Sequence, residues 1–180
     1  MADVQIARAL PLAGMVHGGA EVTVSAAPAA YRISLRAGGP AVAALSKALG
    51  VTLPKKPGTS ASAGSRHALW LGPDEWFVFD ETADPAADCA KSKAAHSAVD
   101  ISHRNTAILV SGPAAADVIN AGCPRELSLE AFPVGACSRT VMGKIEIVLY
   151  RTGAEDFRVE CWRSFSDYAF AFLADAARGL

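Results

Sequence analysis

Two apolar runs, His67-Ala-Leu-Trp-Leu71 and Trp76-Phe-Val-Phe79, are separated by Gly72-Pro-Asp-Glu75. Gly-Pro-Asp is turn chemistry, so the stretch predicts a β-hairpin or a strand–turn–strand corner. Its surroundings extend the pattern. Upstream, Tyr31-Arg-Ile-Ser-Leu-Arg36 alternates apolar and polar residues, the period of a half-buried strand. Gly38-Gly39-Pro40 opens a helix whose Val42, Leu45 and Leu49 share a face, and Gly50 stands where a left-handed C′ residue ends it. Downstream, a helix is predicted from Pro85 to Ala95 and a strand from Ser97 to Ile101. The order is β-α-β-β-α-β, a split βαβ plan.

The second half opens in a similar way. Thr106-Ala-Ile-Leu-Val110 reads as a strand, and Gly112-Pro113 starts a helix that runs to Ala121 and stops at Gly122. After 124–134 come three strand candidates, Cys137–Met142, Lys144–Arg151 and Phe157–Trp162, with turns at Gly143 and Gly153. A final helix is predicted over Ser164 to Arg178, capped by Ser164, with Phe165, Tyr168, Phe172 and Leu173 largely on one side. The expectation is a single α+β domain over 29–180. Its two interlocked halves, βαββαβ over about 29–101 and βαβββα over 102–180, would share a core.

Residues 1–28 are Ala/Gly-rich and weakly charged, with Gly18-Gly19 and Pro28 breaking any periodicity. They read as an N-terminal arm, ordered only if something holds it. A wrapping arm would bury Val4, Ile6, Leu10, Leu12 and Met15 against another chain. The hydrophilic stretch 54–65 (PKKPGTSASAGS) reads as a disordered loop, dispensable for folding.

Charge narrows the function classes. Lys plus Arg number 17 against 18 Asp plus Glu, so no field draws in nucleic acid or an anionic membrane. Only 19% of residues are charged, against about 25% for an average soluble domain, which suggests a surface partly covered by another chain. No run approaches the roughly 20 apolar residues of a spanning helix. The N-terminus lacks signal-peptide pattern, and the four dispersed cysteines read as reduced thiols, so a cytoplasmic location is expected.

Cofactor motifs are missing from the sequence. No G-x-G occurs, Gly143-Lys144 lacks the spacing and the Ser/Thr of a phosphate loop, and His17, His67, His96 and His103 have no ligand partner at metal spacing. In the polar cluster Asp100-Ile-Ser-His-Arg-Asn105, an extended backbone puts Asp100 and Ser102 on one face and His103 on the other. That geometry disfavours a Ser/His hydrolase and favours backbone hydrogen bonding at a strand end. Trp70, Trp76 and Trp162 are core residues or interface anchors.

Taken together, Trp70-Leu-Gly-Pro-Asp-Glu-Trp76, Asp100-Ile-Ser-His103, Gly112-Pro-Ala-Ala-Ala-Asp-Val-Ile119, Phe132-Pro-Val-Gly-Ala-Cys137 and Arg163-Ser-Phe165 make the chain resemble the gamma-subunit family of heterotetrameric sarcosine oxidases. It is similar more distantly to the folate-dependent aminomethyltransferases of glycine cleavage, through Asp-x-Ser-His and Ser111-Gly-Pro-Ala-Ala115. Those enzymes carry a paired Asp-Asp where this chain has Ile145-Glu146.

The resemblance implies an aminomethyltransferase N-terminal-domain-like fold. It also implies a non-catalytic accessory subunit in a complex that oxidatively demethylates sarcosine to glycine, yielding hydrogen peroxide and a one-carbon unit for tetrahydrofolate. FAD, FMN, NAD, zinc and folate would belong to alpha, beta and delta partner subunits. Trp70, Trp76, Trp162, Arg163 and Phe165 join the arm residues as interface candidates. The alternative is a free-standing folate-binding or aminomethyl-transfer protein, with Glu146 the best carboxylate and Asp100 next.

Overall fold

The computed structural model describes residues 10–179. In chain order the elements are β1 (Val16–Gly18), β2 (Thr23–Ala26), β3 (Tyr31–Ala37), α1 (Gly39–Leu49), β4 (Ser60–Ala63), β5 (Arg66–Gly72), β6 (Glu75–Asp80), α2 (Pro85–Cys89) and β7 (His96–Asp100). Then follow β8 (Asn105–Ser111), α3 (Ala115–Asn120), β9 (Cys137–Met142), β10 (Ile145–Arg151), β11 (Asp156–Trp162), a 3-10 turn (Arg163–Phe165) and α4 (Ser166–Arg178). They form two antiparallel sheets, one ordered β4-β5-β6-β3-β7 and the other β1-β2-β8-β11-β10-β9.

Alternation along the strands divides the apolar residues among three layers. Ile33, Leu35, Ala68, Trp76 and Val78 face α1 and α2, packing on Val42, Leu45, Leu49 and Cys89. Ile108, Val110, Ile147, Leu149, Phe157 and Val159 face α3 and α4, packing on Val118, Ile119, Phe170 and Leu173. Between the sheets lie Leu69, Phe77, Phe79, Val148 and Tyr150. The result is a helix–sheet–sheet–helix stack, the two-halved α+β fold expected of the strand and helix order.

Two glycines adopt the left-handed conformation where a turn requires it. Gly50 adopts φ 67° and returns its N–H to Lys47 O at the end of α1. Gly64 adopts φ 60° in the tight turn from β4 to β5.

Four expectations need correction. Residues 10–28 are no separate arm: β2 pairs with β8, and Leu12, Val22 and Val24 sit in the core under α3 and α4; residues 1–9 of the expected arm lie outside the described residues. Gly18-Gly19, read as breaking periodicity, instead make the reversal between β1 and β2, where Gly19 N–H donates to Val22 O at 2.9 Å.

The 54–65 segment is no disordered loop. Its small alternating Ser-Ala-Ser-Ala is strand β4, and Ser60 Oγ donates to Gly135 O at 2.6 Å. Thr59 bridges Ala136, so the two sheets meet along this edge. Deleting 56–63 is therefore expected to cost several kcal/mol rather than nothing; a urea-unfolding midpoint equal to the parent's would refute this.

The α2 helix ends at Cys89, short of Ala95. Finally, Ser164 caps nothing visible at α4, which begins after the 3-10 turn, and Ser166 Oγ donates to Arg163 O at 2.8 Å. The buried face of α4 is Ala169, Phe170, Leu173 and Ala174, while Phe165 and Tyr168 are exposed.

Asp80 fixes the end of β6. Its carboxylate accepts from Arg66 Nε at 2.9 Å, the Ser65 hydroxyl at 2.8 Å and the N–H groups of Thr82 and Ala83 at 2.8 and 3.1 Å. Burial pushes the group up, but the hydrogen bonds led by Thr82 N–H outweigh it and hold the carboxyl well below the ordinary range. A depressed folded-state value contributes stability above the unfolded value of about 4 and loses it as pH falls below that. Asp80→Asn should therefore cost about 2 kcal/mol at pH 7, with the gap narrowing steadily as pH falls from about 4 to 2. Urea unfolding across pH 2–7 checks it; a pH-independent gap would contradict the assignment.

Candidate functional site

The polar faces of β3 and β11 look inward, toward each other, rather than toward water. Arg32 Nε donates to Glu160 Oε2 at 2.8 Å, and Arg158 Nε donates to Glu160 Oε1 at 2.8 Å. The side chains of Arg32, Arg158 and Glu160 are 4%, 4% and 0% exposed, so the pair of guanidiniums and the carboxylate form a buried triad across the sheets. Arg158 also reaches Glu81 at 3.4 Å and lies over the Phe79 ring at 4.3 Å.

His67 stacks on the same Phe79 at 4.6 Å between ring centres, and its Nδ1 lies 3.3 Å from the Tyr150 hydroxyl. Burial first, and the Arg158 charge second, lower the His67 imidazole below its ordinary value, so it rests neutral in this layer.

A second bridge closes the other end. Glu75 of β6 pairs with Arg36 of its own sheet at 2.9 Å and with Arg139 of the opposite sheet. The Arg139 hydrogen bond holds the Glu75 carboxyl below its ordinary value. Beside it is a crevice of about 40 Å³ lined by Glu146, Arg104, Asn105 and Trp162 among others. Ligand pockets run to about 300–1,000 Å³. The crevice has room for a water molecule or two, and the Glu75 ion pairs hold its wall. Glu146 itself is exposed on β10 opposite Val141.

Asp100 and Ser102 do what a strand end asks of them. Ser102 Oγ accepts the Arg32 N–H at 2.9 Å, and Asp100 Oδ1 accepts the Ser102 N–H at 2.8 Å. His103 and Ser102 lie at the rim of a larger cavity, and the Ser102 hydroxyl is taken up by the Arg32 backbone.

The thiols are equally remote from chemistry. All four are buried, and burial pushes Cys89 up to about 11 and Cys137 and Cys161 to about 12. A thiolate is the nucleophile, so Cys89, Cys137 and Cys161 are inert at neutral pH. Among the described residues no three His, Cys, Asp or Glu side chains gather at metal-binding distance, and no helix is long and apolar enough to cross a membrane.

The interface candidates separate into two groups. Leu12 and Trp76 are enclosed in the chain's own cores, and the Trp76 indole donates to Pro54 O at 2.7 Å, which corrects their reading as contact residues. Trp70 is half-buried against the α1 and α2 core. In contrast, Trp162 and Phe165 are each 42% exposed, stacked at 6.2 Å, with the Arg104 guanidinium 5.1 Å over the indole. Arg163 lies between them in sequence and is exposed. Leu10 and Met15 are exposed as well, whereas Val4 and Ile6 lie outside the described residues. Sequence reading missed Arg32, Arg158, Glu160, Glu75 and Arg139. Their period-two placement was visible, but a second sheet covers the face that such a pattern normally gives to solvent.

Known proteins match this architecture. The sarcosine oxidase, gamma subunit family matches over residues 36–179. The chain is 32% identical over 170 residues to the sarcosine oxidase subunit gamma of Corynebacterium sp. strain P-1, covering 90% of this chain and 84% of that one. It is 33% identical over 138 residues to the Arthrobacter sp. subunit, covering 74% and 68%.

A chain in the heterotetrameric sarcosine oxidase structure from Corynebacterium sp. U-96 superposes with a TM-score of 0.81 at 31% identity, covering 92% of this chain and 88% of that one. The glycine cleavage aminomethyltransferase T of Bartonella henselae shares the fold, with a TM-score of 0.65 at 13% identity over 88% of this chain and 47% of that one. The chain belongs to the sarcosine oxidase gamma subunit family.

Proposed function

We propose that the chain is an accessory subunit of a heterotetrameric sarcosine oxidase, packing on a folate-binding large subunit and carrying none of the redox chemistry itself. The observation that carries this reading is the superposition on the Corynebacterium complex over nearly the whole chain. The crevice beside Glu146, the carboxylate that the aminomethyl-transfer alternative would use, holds about 40 Å³, too little for a pterin, and its walls are held by ion pairs. FAD, FMN, NAD, zinc and tetrahydrofolate are accordingly assigned to alpha, beta and delta partners, in a cytoplasmic complex that converts sarcosine to glycine.

The contact surface is assigned to Trp162, Arg163 and Phe165, with Arg104 beneath. A stacked aromatic pair with guanidiniums is the composition of an interface anchor. Co-expression with the neighbouring large-subunit gene tests it. The parent should co-purify as a complex oxidising sarcosine, and Trp162→Ala should weaken assembly by about 2 kcal/mol or more, near thirtyfold in Kd, while circular dichroism stays native. Unchanged assembly would move the interface elsewhere, and failure of the parent to co-purify would overturn the subunit reading.

A further inference from the structure

A second cavity, of about 360 Å³, adjoins the small crevice at Asn105, and it is of ligand-binding size. Its walls are the β2–β3 connection (Ala27, Pro28, Ala29, Ala30), the turn after β7 (Ser102, His103) and the start of β8 (Thr106), with Leu10 and Pro11 at the rim. Most of that wall is apolar. Its polar groups include Arg32, one arm of the buried triad, with Glu81, Ser102, His103, Asn105, Thr106 and the exposed Arg163.

Hydrogen-bond bookkeeping around Arg32 leaves a donor surplus. Arg32 Nε is taken by Glu160 and Nη1 donates to Ala30 O at 2.9 Å, while Nη2 has no acceptor among the described residues. Of the fully enclosed side-chain nitrogens and oxygens among the described residues, Arg158 Nη2 alone lacks a partner. Arg32 Nη2 is therefore not enclosed, and it opens to the cavity that Arg32 lines. The one carboxylate in the lining, Glu81, is engaged by Arg158. A buried guanidinium with an unused N–H pair at a cavity wall asks for an acceptor.

We propose that this cavity is a binding site for a small organic monocarboxylate, whose carboxylate accepts from Arg32 Nη2 and whose apolar body rests on the Ala27–Ala30 wall. An ionised acceptor forms the stronger hydrogen bond to guanidinium. A phosphate would leave the apolar Ala27–Ala30 wall unused. The site shares only Asn105 with the lining of the crevice beside Glu146 and does not depend on the subunit assignment.

The test is a titration of the ¹⁵N-labelled full chain with sodium propionate at constant ionic strength. Saturable amide shifts are expected to cluster at 27–32 and 102–106, with propionamide and inorganic phosphate binding at least tenfold more weakly. Ala30→Trp, which fills the chamber without removing the triad, should weaken propionate at least tenfold in a chain of native circular dichroism. No saturable shift, shifts elsewhere, or equal binding of propionamide would overturn the site. Preferential binding of phosphate would overturn the ligand class.

Discussion

Glu160→Ala is expected to destabilise the domain by about 3–5 kcal/mol, because it strands two buried guanidiniums that now share one carboxylate. For a chain of this size that corresponds to a fall in Tm of roughly 10 °C. The loss does not measure the worth of the triad, since assembling it already required desolvating three charges. Replacing all three with apolar residues of similar volume, as Arg32→Met, Arg158→Met and Glu160→Leu together, should recover most of the stability. Thermal unfolding of both variants decides the matter. A Glu160→Ala loss below about 1 kcal/mol would mean that water reaches the triad, against its near-zero exposure.

The order of strands and helices was legible because turn chemistry and alternation agree. Gly72-Pro73-Asp74 joins β5 to β6 in the register that pairs Trp70 with Trp76, and Gly50 ends α1 where a left-handed residue was expected. What escaped were elements too short or too small to carry a period. β1 has three residues and β2 four, and β4 is Ser-Ala-Ser-Ala; all three are specified by the strands they pair with rather than by their own side chains.

The α4 face was misread for a related reason. Phe172 and Tyr168 look like core residues by type, yet they close over Gly122 and Gly143, while small Ala169 and Ala174 let the helix approach the sheet.

The polar layer between the sheets was legible only in part. Phe157-Arg-Val-Glu-Cys161 alternates cleanly, which identifies β11 and the face it gives to α3 and α4. The sequence does not say that the alternate face meets another sheet; that follows from stacking the two halves. Asp100 and Ser102, by contrast, needed only local backbone geometry, and their hydrogen bonds to backbone N–H groups came out as their position at a strand end required.

Gly112→Ala should be the most disruptive single methyl in the chain, and it reports on how the N-terminal strands are held. Gly112 has φ 126°, a conformation that side-chain-bearing residues rarely adopt. An added Cβ would also stand 2.5 Å from Glu21 O and 3.0 Å from Val22 Cα, both backbone atoms with no rotamer to relieve the clash. Relief requires the 21–22 backbone to move, yet Glu21 O accepts from Ala114 N–H at 3.1 Å and Val22 is core. The expected cost exceeds about 3 kcal/mol. Gly64→Ala is the control: it also has positive φ, at 60°, but nothing lies within 4 Å of its Cβ, so conformation alone should cost about 1–2 kcal/mol. The excess at Gly112 measures the packing of the N-terminal segment on β8. Hydrogen exchange should place the new opening at Thr23–Ala26, because β2 is the element that must lift away from the β8–α3 corner. Equal losses at the two glycines, with β2 still protected, would show that the approach of residues 21–22 contributes nothing to stability.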